Sequence, residues 1–328
     1  MVSGGRGHAP SLPDGPSEAP PASTDDHDGT GEAGATPVTL GFGDVSMWVL
    51  TIACPDRPGI VHAVSGGIVT AGGNIVEAHQ FSSLDTGRFF QRIQIETAAD
   101  SDEADRAVIE SALAPVMDTL RAEWTLVPRD RPTRTLVLAS KATHVVNDLL
   151  YRRRSGYLNI DVPLVIANHA DLAPLARFYG VDFEHHTVTP QTKPAFEQRV
   201  RDLVEALDIE LVVLARYMQI LSPDLCADLS GRVINIHHSF LPGFNGANPY
   251  RQAHARGVKL IGATAHFVTP TLDEGPIIEQ NVVRVDHTKS PHQLMAIGQD
   301  QESSTLREAV RLFAEHRVFL DGARTVIF

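Results

Sequence analysis

The residues best suited to chemistry lie at the end of one short apolar run. Val233-Ile-Asn235-Ile-His237 alternates branched apolar residues with an amide and an imidazole. In a strand, successive side chains point to opposite faces, so residues two apart share a face. Asn235 and His237 are therefore expected side by side where the strand ends. An amide there can donate to a developing oxyanion, and an imidazole can move protons near neutral pH. Taken alone, the pattern equally suits two polar side chains that satisfy backbone groups at a strand end. A third group, Asp273, stands in Leu272-Asp-Glu-Gly275, a turn between two β-prone runs. Capping the turn is one use of an Asp there. The other is to orient the imidazole and fix a water. Carboxylate, imidazole and amide together suffice to transfer or hydrolyse an acyl group without a metal.

These side chains need a framework. Residues 135–140, 162–168, 211–215 and 233–236 are short continuous apolar runs with helical segments between them. The clearest such helix carries Phe196, Val200, Leu203, Val204 and Leu207 at one-face spacing. Alternating strand and helix predicts an α/β domain with a mostly parallel sheet covered on both faces, in which ligands sit at the carboxyl ends of strands. Two longer β runs, 259–268 and 277–285, and a terminal helix over 291–315 complete it. Ahead of this lies a different rhythm. Residues 47–53 read as a strand, 59–71 as a helix closed by Gly72-Gly73, and 74–83 and 88–96 as two strands. A second helix is capped by Ser101, and 124–127 form a last strand. The order βαββαβ is that of a ferredoxin-like sandwich. The polar segment Pro128-Arg-Asp-Arg-Pro132 joins the two parts, giving expected divisions at 46–128, 129–134 and 135–328.

Residues 1–45 stand apart, with nine Gly, six Pro and seven acidic residues against one Arg. Such a segment cannot bury enough apolar surface to offset its chain entropy, so a disordered acidic tail is expected. The whole chain of 328 residues has 28 Lys and Arg against 40 Asp and Glu, a net charge of -12. That balance argues against a nucleic-acid partner, which requires a basic face. Two cysteines, Cys54 and Cys226, give no basis for a disulfide framework or a thiolate zinc site and fit a reducing cytoplasm. No apolar run is long enough to span a membrane, and the N-terminus lacks the pattern of a secretory signal. The doublets His185-His186 and His237-His238 raise the question of a metal. No His-x-x-x-His pair on a helix accompanies them, and no metal is expected.

Asn235-Ile-His237-His-Ser-Phe-Leu-Pro242, His266-Phe-Val-Thr269 and Leu272-Asp-Glu-Gly-Pro276 resemble the folate-dependent formyl transferases. Leu214-Ala-Arg-Tyr-Met-Gln-Ile-Leu-Ser222 looks like their folate-site loop. The longer stretches 237–250 and 257–266, with Leu149-Leu-Tyr-Arg152 and Asn168-His169, narrow the resemblance to the formyltetrahydrofolate deformylases. Residues 47–128, including Pro55-Asp-Arg-Pro-Gly59, resemble the ACT domain of that family. The resemblance covers nearly all of 47–328 and implies a Rossmann-like formyl transferase domain behind an ACT domain. It implies hydrolysis of 10-formyltetrahydrofolate to formate and tetrahydrofolate, with that folate as substrate and no cofactor required. Carried over residue by residue, it makes Asn235, His237 and Asp273 catalytic. It puts the pterin between 217–221 and 268–275, that is Tyr217, Met218, Gln219, Ile220, Leu221, Val268, Thr269 and Gly275. His266 either faces this pocket or packs. A cis bond at Leu241-Pro242 is a further implication.

The ACT resemblance implies a small amino-acid effector, with glycine or methionine the candidates, at turns holding Asp56, Gly59 and Asn74; assembly alone is the other use of such a domain. It also implies a homo-oligomer, a dimer or tetramer. The physiological setting implied is one-carbon metabolism: formate for purine biosynthesis, or balance of the folate pool. A formyl transferase acting on an amine is the alternative. Against it stands Ser140-Lys-Ala-Thr-His144, where relatives acting on a sugar-phosphate amine have a glycine-rich loop. Without glycine, backbone amides cannot wrap a phosphate closely.

Overall fold

The computed structural model describes residues 45–98, 102–241 and 249–328. The expected acidic tail therefore lies outside the described residues, except for Val45, and so do the Ser101 cap and Pro242 of the expected cis bond. The chain enters at β1 (Val45–Pro55), followed by α1 (Ile60–Thr70), β2 (Asn74–Ser83), β3 (Arg88–Ala98), α2 (Asp102–Leu120) and β4 (Glu123–Pro128). The four strands pair antiparallel in the order β2-β3-β1-β4. Alternation decides the two faces. Trp48, Leu50, Ile52 and Cys54 of β1, with Phe89, Ile93 and Ile95 of β3, pack under the helices. Ile60, Val64 and Ile68 of α1 and Ile109, Leu113 and Met117 of α2 meet them at helical spacing.

The second sheet is built from β5 (Thr133–Ala139), β6 (Ile160–Ala167), β7 (Asp182–His185), β8 (Leu211–Ala215), β9 (Val233–His237), β10 (Leu260–Phe267) and β11 (Ile277–Arg284). Thr133 and Arg134, read from sequence as linker, are thus already strand. The intervening helices are α3 (Thr143–Arg154), α4 (Ala173–Phe178), α5 (Lys193–Ala206), α6 (Pro223–Asp228) and α7 (Pro249–Arg256). Helix α8 (Pro291–Ala314) and a hairpin of β12 (Val318–Asp321) and β13 (Arg324–Ile327) close the chain. The order is β11-β10-β9-β8-β5-β6-β7. Strands β5 to β9 run parallel, whereas β10 and β11 are antiparallel additions at one edge. The central strands are apolar along most of their length because both their faces are covered. Val137, Val165 and Val213 pack with Val146 and Leu150 of α3 and Leu306 and Val310 of α8. Leu138, Ile166 and Leu214 pack with Phe196 and Val200 of α5 and Leu225 and Cys226 of α6. Chain order reverses between β5 and β8, and the crevice at their carboxyl ends is where a doubly wound sheet binds its ligand. No helix among the described residues is long and apolar enough to cross a membrane.

Sequence periodicity did not reveal the C-terminal hairpin. It covers the second face of the first sheet, where the Phe90 and Phe319 ring centroids lie 5.7 Å apart. Beside them, Arg92 Nε donates to the Glu315 carbonyl at 3.0 Å and Arg92 Nη1 meets Glu77 Oε2 at 3.0 Å. Neither four-residue strand has an apolar face large enough to signal itself. The contacts that hold them come from β2, β3 and β11: Ser83 Oγ donates to Asp321 at 2.7 Å, Phe90 meets Phe319, and Thr325 Oγ1 donates to the Ile277 carbonyl at 2.5 Å.

Candidate active site

Strand β9 presents Asn235 and His237 to one cavity of about 250 Å³ at its carboxyl end, as the two-residue period requires. Antiparallel register places His266 of β10 directly across from Asn235. The two side chains approach to 3.3 Å, Asn235 Nδ2 to His266 Nε2. His266 Nδ1 lies 2.8 Å from the Phe267 carbonyl, which can only accept, so this nitrogen carries a proton. When the ring is neutral, Nε2 accepts from Asn235. The same Nε2 lies 3.6 Å from Asp273 Oδ1.

Asp273 reaches the two imidazoles from the loop joining β10 to β11. Its backbone is left-handed, with φ of 56°, a conformation a short polar side chain tolerates. Two residues on, Gly275 lies so close to β10 that a Cβ would sit 1.7 Å from the Phe267 carbonyl oxygen. The loop is thereby pressed against the strand, and Asp273 Oδ2 comes within 3.2 Å of His237 Nδ1. Hydrogen bonding to His237, then to His266, holds the Asp273 carboxyl well below the usual carboxylate range against the opposing effect of burial. An ionised carboxylate on Nδ1 requires the proton there and leaves Nε2 of the neutral ring unprotonated, on a side chain that lines the cavity. That nitrogen is buried and has no partner among the described residues. The arrangement is an imidazole oriented by a carboxylate, with an open nitrogen beside an amide donor.

A cluster of charged side chains lies behind these rings. Arg216, also left-handed with φ of 58°, follows β8. Its Nη1 meets His238 Nδ1 at 2.8 Å, and its Nε lies 3.4 Å from Glu302 Oε2. Glu302 is 1% exposed on α8 and also takes His144 Nε2 and Tyr250 Oη, each at 2.8 Å. Burial pushes its carboxyl upward, but the His144 hydrogen bond, the Arg216 charge and Tyr250 outweigh this and hold it below the ordinary value. Gly298, one turn before Glu302, makes room for the Tyr250 ring; a Cβ there would meet Tyr250 Oη at 2.1 Å. Sequence reading missed Glu302 and the task of Arg216. One signal was present: Glu302 is a carboxylate inside the buried stripe Gly298, Leu306, Ala309 of an amphipathic helix.

Of the residues read from sequence as substrate contacts, Tyr217, Met218, Gln219, Ile220, Leu221, His266, Val268 and Thr269 all line the cavity. Gly275 does not; its place is against β10. Met218 is 61% exposed, Ile220 62% and Leu272 60%, so the mouth carries apolar side chains suited to covering a flat ring. Asp56, Gly59 and Asn74 are not brought together within one chain. Pro55 pairs with Arg88 at the start of β3, whereas Asn74 pairs with Glu96 near its end. The helix α1 spans the sheet between them, which separates the two turns. The loop 140–144 contains no glycine and runs into α3 through Ala142, with no side-chain cap. Among the described residues no group of three or more His, Cys, Asp or Glu side chains is arranged to hold a metal ion.

Comparison with known proteins gives two family matches: Formyl transferase over residues 133–310 and ACT domain over residues 48–114. The chain is 47% identical over 279 residues to a formyltetrahydrofolate deformylase of Corynebacterium sp. (strain P-1), covering 85% of this chain and 97% of that one. The crystal structure of formyltetrahydrofolate deformylase from Burkholderia mallei matches with a TM-score of 0.82 and 47% identity, over 86% of this chain and 99% of that one. A glycinamide ribonucleotide transformylase from Symbiobacterium toebii matches over 60% of this chain and 95% of its own, with a TM-score of 0.56 and 35% identity.

Proposed function

We propose, from the premise that this chain belongs to the formyltetrahydrofolate deformylase family, that its cavity binds 10-formyltetrahydrofolate and hydrolyses it to formate and tetrahydrofolate. The pterin lies between 217–221 and 268–272, covered by Met218, Ile220 and Leu272. The formyl carbon sits against Asn235 and His237. Water attacks that carbon, and its proton passes to His237 Nε2. Asp273 stabilises the resulting imidazolium through Nδ1. Asn235 donates to the oxyanion, a contribution typically worth about 2.7–4 kcal/mol in the transition state. On collapse the C–N bond breaks and the proton moves from His237 to the leaving nitrogen. His266 holds Asn235 and Asp273 in register.

The observation that carries this reading is the 3.2 Å contact between Asp273 and His237, which leaves Nε2 without a partner among the described residues on a ring that lines the cavity with Asn235. The reaction needs no cofactor and no metal in this reading, because carboxylate, imidazole and amide complete the proton path. Residues 46–128 act as the ACT regulatory part, 129–132 as linker and 133–328 as the catalytic part, in a cytoplasmic homo-oligomer open to control by glycine or methionine. The formate released serves purine synthesis or folate balance.

The test is direct. Pure protein incubated with 10-formyltetrahydrofolate and no amine acceptor is expected to release formate and tetrahydrofolate in equal amounts, before and after exhaustive chelation. Turnover only when an amine is supplied favours the transferase alternative. Turnover abolished by chelation and restored by a metal ion removes the metal-free mechanism.

A further inference from the structure

The doublet His237-His238 has so far supplied one ring to the chemistry. The second ring is held by a different partner. Arg216 Nη1 lies 2.8 Å from His238 Nδ1. A guanidinium has donors only, so His238 Nδ1 accepts and bears no proton. The ring is then neutral with its proton on Nε2. That N–H is buried and finds no partner among the described residues. His238 lines the same cavity as Asn235, His237 and Asp273. Its ring stacks on that of His237, with centroids 4.8 Å apart and planes inclined by 22°.

The proton state is imposed by the surroundings. Burial, then the Arg216 charge and the neighbouring His237, push the His238 imidazole down to about 4, and Glu302 and Asp273 act weakly in the other direction. These four are the charged and titratable groups facing the ring, one from the end of β8, one adjacent in chain, one from α8 and one from the β10–β11 loop. Arg216 cannot readily turn away, because its Nε is paired with Glu302, itself held by His144 and Tyr250. An unsatisfied buried donor held this firmly on a ring that lines the cavity is costly to keep and calls for a ligand atom.

We infer that His238 is a further catalytic residue of the hydrolysis proposed above: its Nε2–H donates, together with Asn235 Nδ2–H, to the oxygen that becomes negative when water adds to the formyl carbon. This rests on the reading of the cavity as the formyl-folate site. The step balances. A water O–H bond breaks and its proton goes to His237 Nε2, a C–O bond forms, and the carbonyl π pair moves onto the oxygen held by the two donors. On collapse that pair returns, the C–N bond breaks and His237 returns the proton to nitrogen. His237 cycles its Nε2 proton and so cannot be a constant donor. His238 keeps its proton throughout, which is the property a preorganised oxyanion donor needs.

The experiment uses the full chain. Formate release by the unaltered protein is measured first, and its absence defeats the functional reading independently of His238. His238→Phe keeps a stacked ring and removes the donor. Its kcat is expected to fall about 10²–10³-fold with KM changed by less than about threefold. His238→Gln retains an N–H at similar reach and is expected to recover at least about tenfold over His238→Phe. A kcat for His238→Phe within about threefold of the unaltered protein overturns the inference. Equal losses in both variants assign the ring a packing role and overturn it as well. Nitrogen NMR of the unaltered protein at neutral pH supplies a readout that no folding defect can obscure. Pyrrole-type Nε2 with pyridine-type Nδ1 is expected for His238, and a protonated Nδ1 rules the donor out.

Discussion

Asp273 faces two imidazoles from a left-handed backbone position, its carboxylate 3.2 Å from His237 Nδ1 and 3.6 Å from His266 Nε2. Replacement by Asn preserves shape and tolerates the same φ, so any loss of function belongs to the charge and to the acceptor-only oxygens of the carboxylate. In the proposed hydrolysis, Asp273→Asn deprives the imidazolium formed during water attack of its counter-charge, and the amide can present a donor to Nδ1 and impose the wrong tautomer. Turnover is expected to fall about 10²–10⁴-fold, the usual weight of positioned acid–base catalysis, with little change in melting temperature. Near-normal formate release from Asp273→Asn would remove Asp273 from the mechanism. Because its carboxyl sits well below the ordinary range, Asp273 stays ionised throughout mildly acidic solution, and loss of activity there has another source. Strand period made Asn235 and His237 legible as neighbours, and only the family resemblance gave them a catalytic role. The partners of His238 were not legible, because Arg216 and Glu302 reach that ring only through strand order and helix packing.

Helix α8 serves two purposes along its length. Leu306, Ala309 and Val310 fill the core under the second sheet, and Glu302, in the same stripe, ties Arg216, His144 and Tyr250 together. Removing one partner of a buried ion pair leaves the other charge uncompensated, which typically costs about 3–5 kcal/mol. Glu302→Ala is expected to lose about 3 kcal/mol, since Arg216 retains some access to solvent, and to lower turnover by freeing Arg216. Urea titration checks this, and an unchanged midpoint with full turnover would show that the cluster neither supports the fold nor positions the rings. The helix itself was read in the sequence over 291–315, and in the structure Ser290 with Gln293 closes its start as a capping box. So was β8, whose five apolar residues admit no other element. Short helices such as α6, with six residues, and the two strands of the hairpin were not. Their local preference is too weak to stand without the tertiary contacts that fix them.

At the scale of the whole molecule, the two sheets meet through charged residues whose proton affinities differ between folded and unfolded chain. His316 follows α8 and lies among Arg92 of β3, Arg131 and Glu210. Burial, with the charges of Arg131 and Arg92 outweighed in part by Glu210, pushes its imidazole from 6.5 down to about 4. His238 is pushed from 6.5 to about 4 as well. In each case the unfolded chain binds a proton that the folded chain refuses, so stability is complete above 6.5 and is lost as pH falls toward 4. A shift of this size corresponds to about 3 kcal/mol per residue once the folded pKa is passed. Glu77 acts in a lower window. Burial raises it, but hydrogen bonds from His79 and Arg92 outweigh that and hold it at about 2. Its stabilisation is present above its unfolded value near 4.5 and disappears toward 2. Melting temperature is therefore expected to fall in two stages on acidification, the first beginning well above the carboxylate range. His316 sits at φ of 54°, which Asn accommodates, so His316→Asn removes one titration without straining the backbone. The variant is expected to show a shallower fall in melting temperature between pH 6.5 and 4.5 and to take up about one proton fewer on unfolding at pH 5. If the slopes and proton uptake of the two proteins coincide, His316 is not held neutral at this junction, and acid sensitivity must be sought in the carboxylates alone.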